Sequence, residues 1–303
     1  LGDVYKRQGE AEACRGEIDR WLEDVTGPAA AFTPRPLDPQ RDLADTAKTV
    51  DVDLPDEVND EILSRLCESF NTSNEHILLA GLALAAEQLG QRDAVLIDVE
   101  GHGRDALDGV DVTRTVGWFT TVRPVRLTTP TAVDTVGGLL RSIKETMRSA
   151  PGHGYGLLRW TDPVGRDRLA EAGNAPLGFN YLGVVDKTEQ ARPFRPLPGG
   201  EVLGGGGGPA MRLMHAVEIV AWLEKTTVGA RLRARLVYPA AVCDQRDMEA
   251  LGAAWGEALR LLASLAEDPD GGGMTPSDVV LVDVTQEDLD AFENGLDDEW
   301  GNL

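Results

Sequence analysis

The chain has 303 residues, with 29 basic against 51 acidic side chains, a formal charge of −22 and a pI of about 4.5. A surface this acidic repels phosphate backbones and anionic leaflets, which argues against nucleic acid or a membrane surface as a partner. Hydrophobic residues at 42% and charged ones at 26% supply a sizeable core and argue against bulk disorder.

The opening residues 1–8 have no periodicity and no initiator Met, and are expected to be a cloning or assembly scar outside the fold. No basic flank with an apolar segment follows, so no signal peptide is expected. From Glu10 to Val25 the apolar residues Ile18, Trp21, Leu22 and Val25 recur at helical spacing. The helix ends at Gly27-Pro28, and residues 29–49, with Pro34, Pro36 and Pro39, read as an extended connector. A boundary is placed near Val50, so that residues 9–49 form helix and connector.

Asp51 to Leu54 suggests a short strand and Pro55-Asp56 the start of a helix through Phe70. Thr72 and Glu75 have capping-box spacing ahead of a helix from Ser73 to Gln88 that is apolar nearly all round, hence buried. Residues 94–99 form a β-branched strand ending at Gly101 and Gly103. Thr115 to Leu127 reads as one strand or as two broken at Pro124, and Thr131 starts a helix stopping before Pro151-Gly152. A glycine-rich passage leads to a strand from Leu177 to Val185, and residues 192–209, with five glycines at 204–208, read as loop. Strands at Arg212 to Val220, Trp222 to Thr227 and Arg231 to Tyr238 precede a closing amphipathic helix from Asp244 to Leu265. A flexible acidic loop, a docking tail from Pro276 to Leu289 and an acidic tail at 290–303 complete the chain. The order predicts an α/β fold, a mixed sheet with flanking helices.

Cys14, Cys67 and Cys243 are far apart with no CxxC, giving neither a disulfide framework nor a zinc set, and a reducing cytoplasm is the expected compartment. No apolar run approaches the length of a membrane span. Four other clusters carry chemistry-bearing side chains. Glu100-Gly101-His102-Gly103-Arg104 places a carboxylate, an imidazole and a guanidinium after a buried strand, either as an acid/base site or as a polar turn. In Arg114 to Thr120, Trp118 and Phe119 either line a substrate channel or serve packing. Pro151-Gly152-His153-Gly154-Tyr155-Gly156 lacks the ending of a phosphate-binding loop, as does the run at 204–208, and a lid or linker fits both better. In Phe179-Asn180-Tyr181-Leu182-Gly183, neighbouring Asn180 and Tyr181 point to opposite faces of a strand unless a bulge intervenes. His76 and His215, the latter read within a strand, are expected to be satisfied structural histidines.

In this order, EGHGR at 100–104, RTVGWFTTVRPV at 114–125, PGHGYG at 151–156 and FNYLG at 179–183 resemble the later motifs of epimerization domains of nonribosomal peptide synthetases. The match extends to Asn71-Thr72, to residues 155–160, to Thr275-Pro276-Ser277-Asp278 and to Thr285-Gln286-Glu287, and so covers residues 50–289. The resemblance implies a fold like chloramphenicol acetyltransferase, with two lobes and a tunnel between them, of which this chain supplies the second lobe and the crossover connector. The first lobe's HHxxxD motif has no counterpart, since no two histidines are adjacent here. A truncated domain is therefore expected, with the N-terminal lobe as a partner.

The activity implied is an amino-acid epimerase, inverting the Cα of an aminoacyl or peptidyl thioester held on the 4'-phosphopantetheine arm of a peptidyl carrier protein. No cofactor is implied on the chain itself. By the same resemblance Glu100 is the catalytic carboxylate, Asn180 and Tyr181 are the substrate-side pair, Arg104 and His102 orient the site, and Trp118, Phe119 and Tyr155 line the channel. Arg123 departs from the family pattern, which has an aromatic residue before Pro124. The alternatives are a condensation domain, which forms peptide bonds, and a non-catalytic carrier-docking module.

Overall fold

The computed structural model describes residues 14–27, 29, 32–91, 94–104, 111–129, 135–149, 154–187, 208–227, 229–267, 272–279, 284–289 and 291. Seven α-helices and six strands are seen among them. In chain order they are α1 (Ile18–Thr26), β1 (Ala47–Asp53), α2 (Asp60–Ser69), α3 (Asn74–Gln88), β2 (Val95–Gly101), β3 (Thr121–Leu127), α4 (Val136–Ser149), α5 (Gly154–Trp160), α6 (Pro163–Glu171), β4 (Leu177–Asp186), β5 (Val217–Thr226), β6 (Gly229–Pro239) and α7 (Gln245–Ser264).

The strands form one mixed sheet in the order β1-β6-β5-β4-β2-β3. Its centre, β2-β4-β5, is parallel, and the outer pairs β2-β3, β5-β6 and β1-β6 are antiparallel. Pro124 lies in the middle of β3 without breaking it. This is possible because β3 is an edge strand, where a missing N–H removes no ladder bond on the open side.

One sheet face carries the main core. Ile97 and Val99 of β2, Leu177 and Phe179 of β4, Val217 and Ile219 of β5 and Leu236 of β6 pack there with α2, α3, α4 and α7. α3 is the central helix: Ser73 caps it through the His76 N–H at 3.3 Å, and every residue from Ile77 to Ala86 is buried. Trp255 of α7 donates its indole N–H to the Leu78 carbonyl at 3.1 Å, fixing the two helices. A second cluster, Ile18, Trp21, Tyr155, Leu158 and Leu169, joins α1, α5 and α6. Arg126 of β3 ties α1 to the sheet by donating to the carbonyls of Asp24 at 2.8 Å and Gly27 at 2.9 Å.

Several elements differ from the sequence reading. The boundary at residue 50 cuts β1, whose pairing with β6 starts at Ala47. The connector before it is packed: Phe32 and Leu37 lie on the core, and Arg35 holds buried Asp42 in a forked ion pair at 2.6 and 2.9 Å. α2 begins at Asp60, because Asn59 and not Pro55 caps its N–H groups. The glycine-rich passage before β4 contains α5 and α6, the latter capped by Asp162 with Pro163 in its first turn. Between residues 212 and 227 there is one strand, β5, and it begins at Val217, so His215 precedes it. The helix read from Thr131 begins at Val136 where it is described. Residues 1–8, Pro151 to His153, 192–207 and the tail 292–303 lie outside the described residues.

Candidate active site

Strand alternation sends Asp98 and Glu100 of β2 to the sheet face opposite the helical core. The ladder places Asp98 beside Gly178 of β4 and Gly178 beside Glu218 of β5. Asn180, two residues on, donates its side-chain N–H to Glu100 Oε2. His215 completes the group, with Nδ1 2.7 Å from Glu218 Oε2 and Nε2 3.0 Å from Asp98 Oδ2. Three carboxyl groups, an imidazole and an amide thus share the sheet face opposite the helical core.

Glu100 is half-buried, and its environment pulls both ways. Burial and the charge of Glu218 raise its pKa, while His215 and the Asn180 hydrogen bond lower it, and the net shift is upward. A carboxyl in such a position is suited to give and take a proton reversibly.

After Glu100 the chain turns. Gly103 has φ +59° there, and a Cβ at this position would lie 1.7 Å from the Phe119 carbonyl oxygen. Gly103→Ala is expected to cost at least about 1–3 kcal/mol in left-handed strain and displaced backbone, read as a lower urea midpoint. Arg104 then donates to the carbonyls of Val112 at 2.7 Å, Thr115 at 2.8 Å and Gly117 at 3.2 Å. Its guanidinium also stacks 4.6 Å above the Phe119 ring. Arg104 orients the 112–119 loop beside the turn, and does so through backbone oxygens. His102 accepts from the Arg104 N–H at 3.0 Å and is exposed on the turn.

The aromatic residues of the sequence reading part company. Phe119 is buried beneath Arg104, whereas Trp118, the residue before it, is 85% exposed. Tyr155 is core, edge-on to Trp21 at 5.3 Å. Burial and the charge of Asp98 both raise its hydroxyl, which places it near the acidic row.

Tyr181 is not brought to Glu100. It follows Phe179 on the helical face, where Asn74 of α3 donates to its hydroxyl at 3.1 Å and burial raises its pKa. The register shift between Tyr181 and Val184 comes too late to turn it round. Asn180 and Tyr181 are therefore a pair in sequence only. His76 is partly buried at the start of α3: burial and the charges of Arg148, Arg123 and Lys144 push it down to about 4, and Thr72 Oγ1 lies 2.9 Å from Nδ1.

The sequence reading missed Asp98 and Glu218, and separated His215 from the site. Two signals were present: acidic residues at i and i+2 on a β-branched strand, and a carboxylate three residues after a histidine. Among the described residues no cluster of His, Cys, Asp or Glu has metal-site geometry, and no helix is long and apolar enough to cross a membrane.

A family model described as a condensation domain matches residues 7–192. One of the linear gramicidin synthase proteins of Brevibacillus parabrevis is 31% identical over 290 residues, 93% of this chain and 4% of that protein. Surfactin synthase subunit 1 of Bacillus subtilis (strain 168) is 28% identical over 90% of this chain and 8% of its own length. Among solved structures, the epimerization domain from the third module of tyrocidine synthetase B shares the fold with a TM-score of 0.70, at 24% identity over 86% of this chain and 57% of that one. The X-domain from teicoplanin biosynthesis gives 0.54 at 18% identity, over 84% of this chain and 55% of that one. The chain thus spans less than a tenth of these two curated relatives and a little over half of these structures. With more than half of its 303 residues matched by the family model, the chain belongs to the condensation-domain family.

Proposed function

We propose that this chain is the second lobe of a nonribosomal peptide synthetase epimerization domain, which inverts the Cα of an aminoacyl or peptidyl thioester carried by a partner carrier protein. The observation that supports this most is Glu100 itself, half-buried at the end of β2 with a raised pKa and an Asn180 hydrogen bond. The Cα–H bond is weakly acidic, and a thioester helps by spreading the carbanion into an enolate. The protein must then supply a base, an acid on the other face and stabilisation of the oxygen that gains charge.

In this reading Glu100 takes and returns the proton on one face. A first lobe carrying the HHxxxD histidine, supplied from outside these residues, serves the other face and closes the site against water. Asn180 holds the Glu100 carboxylate in place through its N–H. The 4'-phosphopantetheine arm of the carrier protein delivers the thioester, and Trp118, exposed beside the turn, offers it an apolar wall.

The test is to incubate a carrier protein loaded with one enantiomer with this chain and the first lobe of a related domain, then to release the amino acid and measure its chirality. A mixture of L and D forms supports the reading, and retention of a single form contradicts it. Condensation is the second reading, favoured by the family match at residues 7–192. It predicts a dipeptidyl thioester when two loaded carriers are supplied, with no change at Cα.

A further inference from the structure

The role given to Glu100 leaves three neighbouring titratable groups unused: Asp98, two residues before it on β2, Glu218 on β5, and buried His215, just ahead of β5. His215 Nε2 meets Asp98 at 3.0 Å and Nδ1 meets Glu218 at 2.7 Å, so the ring bridges β2 and β5 across β4. What makes the bridge possible is Gly178 on the intervening strand. A Cβ there would lie 2.3 Å from His215 Nδ1 and 2.5 Å from Glu218 Oε2, so any side chain at 178 would occupy the imidazole's place.

When both carboxyl groups are ionised each ring nitrogen faces an acceptor, and both nitrogens then carry a proton, which is the imidazolium form. Burial alone would lower the His215 pKa, but the two carboxylates outweigh it and carry it up to about 9. The groups facing this ring are Asp98 and Glu100 from β2 and Glu218 from β5. Tyr155 of α5 feels the charge of Asp98 and is hydrogen-bonded to Arg159. Asp98 Oδ1 is buried with no hydrogen-bond partner among the described residues, and Oδ2 lies 3.0 Å from His215 Nε2.

We propose that His215 is a positioning residue of the Glu100 site: held over Gly178 between Asp98 and Glu218, it supplies the fixed positive charge that lets Glu100 ionise beside two other carboxylates. Without it, three carboxyl groups would crowd one partly buried patch, and the cheapest relief would be a proton kept on Glu100. The proposal rests on the reading of Glu100 as the proton-transfer group, and goes further by naming what controls its protonation.

The test follows the Glu100 side-chain carboxyl by carbon NMR across pH, using the full chain labelled at glutamate, as wild type, His215→Gln and His215→Gln/Glu218→Gln. Loss of the cation is expected to raise the Glu100 midpoint by about one pH unit, leaving about tenfold less carboxylate below it. Removal of the Glu218 charge in the double variant is expected to bring the midpoint back down. If His215→Gln does not fold, Gly178→Ala, whose Cβ would displace the imidazole, is expected to raise the midpoint in the same way. A Glu100 midpoint unchanged in every folded variant would overturn the proposal. The same variants are assayed for Cα proton exchange with a loaded carrier and a first lobe, where the acidic limb of the rate is expected to move with the midpoint. Absence of exchange in the wild type would sink the epimerase reading, while the NMR midpoints would still decide the coupling between His215 and Glu100.

Discussion

Glu100→Gln is expected to lower Cα proton exchange on a carrier-bound aminoacyl thioester by at least about 100-fold, the scale of a lost general base. Gln keeps the length of the side chain and an oxygen to accept from Asn180, but cannot take a proton at neutral pH. Its thermal midpoint is expected to stay near that of the wild type, because Glu100 is only half-buried and lies outside both apolar clusters. Exchange measured by mass spectrometry on the released amino acid, alongside a melting curve, separates the two effects. Equal exchange rates in wild type and variant would remove Glu100 from the chemistry.

The largest expected effect on stability lies far from that site. Lys144 of α4 is fully buried, and its ammonium donates to the Phe70 carbonyl at 2.7 Å and to Asp278 at 2.5 Å. Arg148 reaches the other oxygen of Asp278, and the Thr275 N–H donates to the first at 2.8 Å. Burial alone would raise the pKa of Asp278, but these partners hold it down to about 2. Asp278→Asn leaves the Lys144 charge buried without its counter-ion and is expected to cost about 3–5 kcal/mol. That is a fall in melting temperature on the order of 10 °C.

The sign of the pH dependence follows. A carboxyl with a pKa depressed in the folded state stabilises fully above its unfolded value, about 3.9, and loses that contribution as pH falls toward about 2. The melting temperature of the wild type is expected to fall faster than that of Asp278→Asn across this window. Parallel curves for the two proteins would show that the ion pair does not govern acid stability. Lys144→Met/Asp278→Asn, which removes both charges, is expected to recover much of the loss.

The segment 276–278 reads in sequence as the start of a docking tail, and the structure gives it a definite seat on α4. Nothing in its own residues foretells this, since the partner Lys144 lies in a helix more than a hundred residues earlier. α3 and β2 were legible because each carries its burial in its own composition: an unbroken apolar helix, and a β-branched run. α5 was not, because Gly154 and Gly156 argue against a helix that packing of Tyr155 and Leu158 against α1 stabilises.

At the site, the strand rule and the family resemblance disagreed over Tyr181. Alternation put Asn180 and Tyr181 on opposite faces, resemblance made them a pair, and the structure follows alternation. Glu100 and Asn180 were legible as candidates from both. The Asp98–His215–Glu218 bridge was not, because its parts come from three places in the chain and meet only through the ladder of β2, β4 and β5. Gly178, which makes room for the imidazole, is an ordinary strand glycine until the neighbouring strands are in place.

Epimerization and condensation differ in whether a proton moves at Cα or two acyl chains are joined. The most direct measurement is incorporation of solvent deuterium at the Cα of an amino acid loaded on a carrier protein, with this chain and a first lobe bearing the HHxxxD motif supplied together. Deuterium is expected at Cα with both lobes present, and none when Glu100→Gln replaces the wild-type chain. An undeuterated Cα with both wild-type lobes present, together with a peptide bond formed once a second loaded carrier is added, would contradict the epimerase reading.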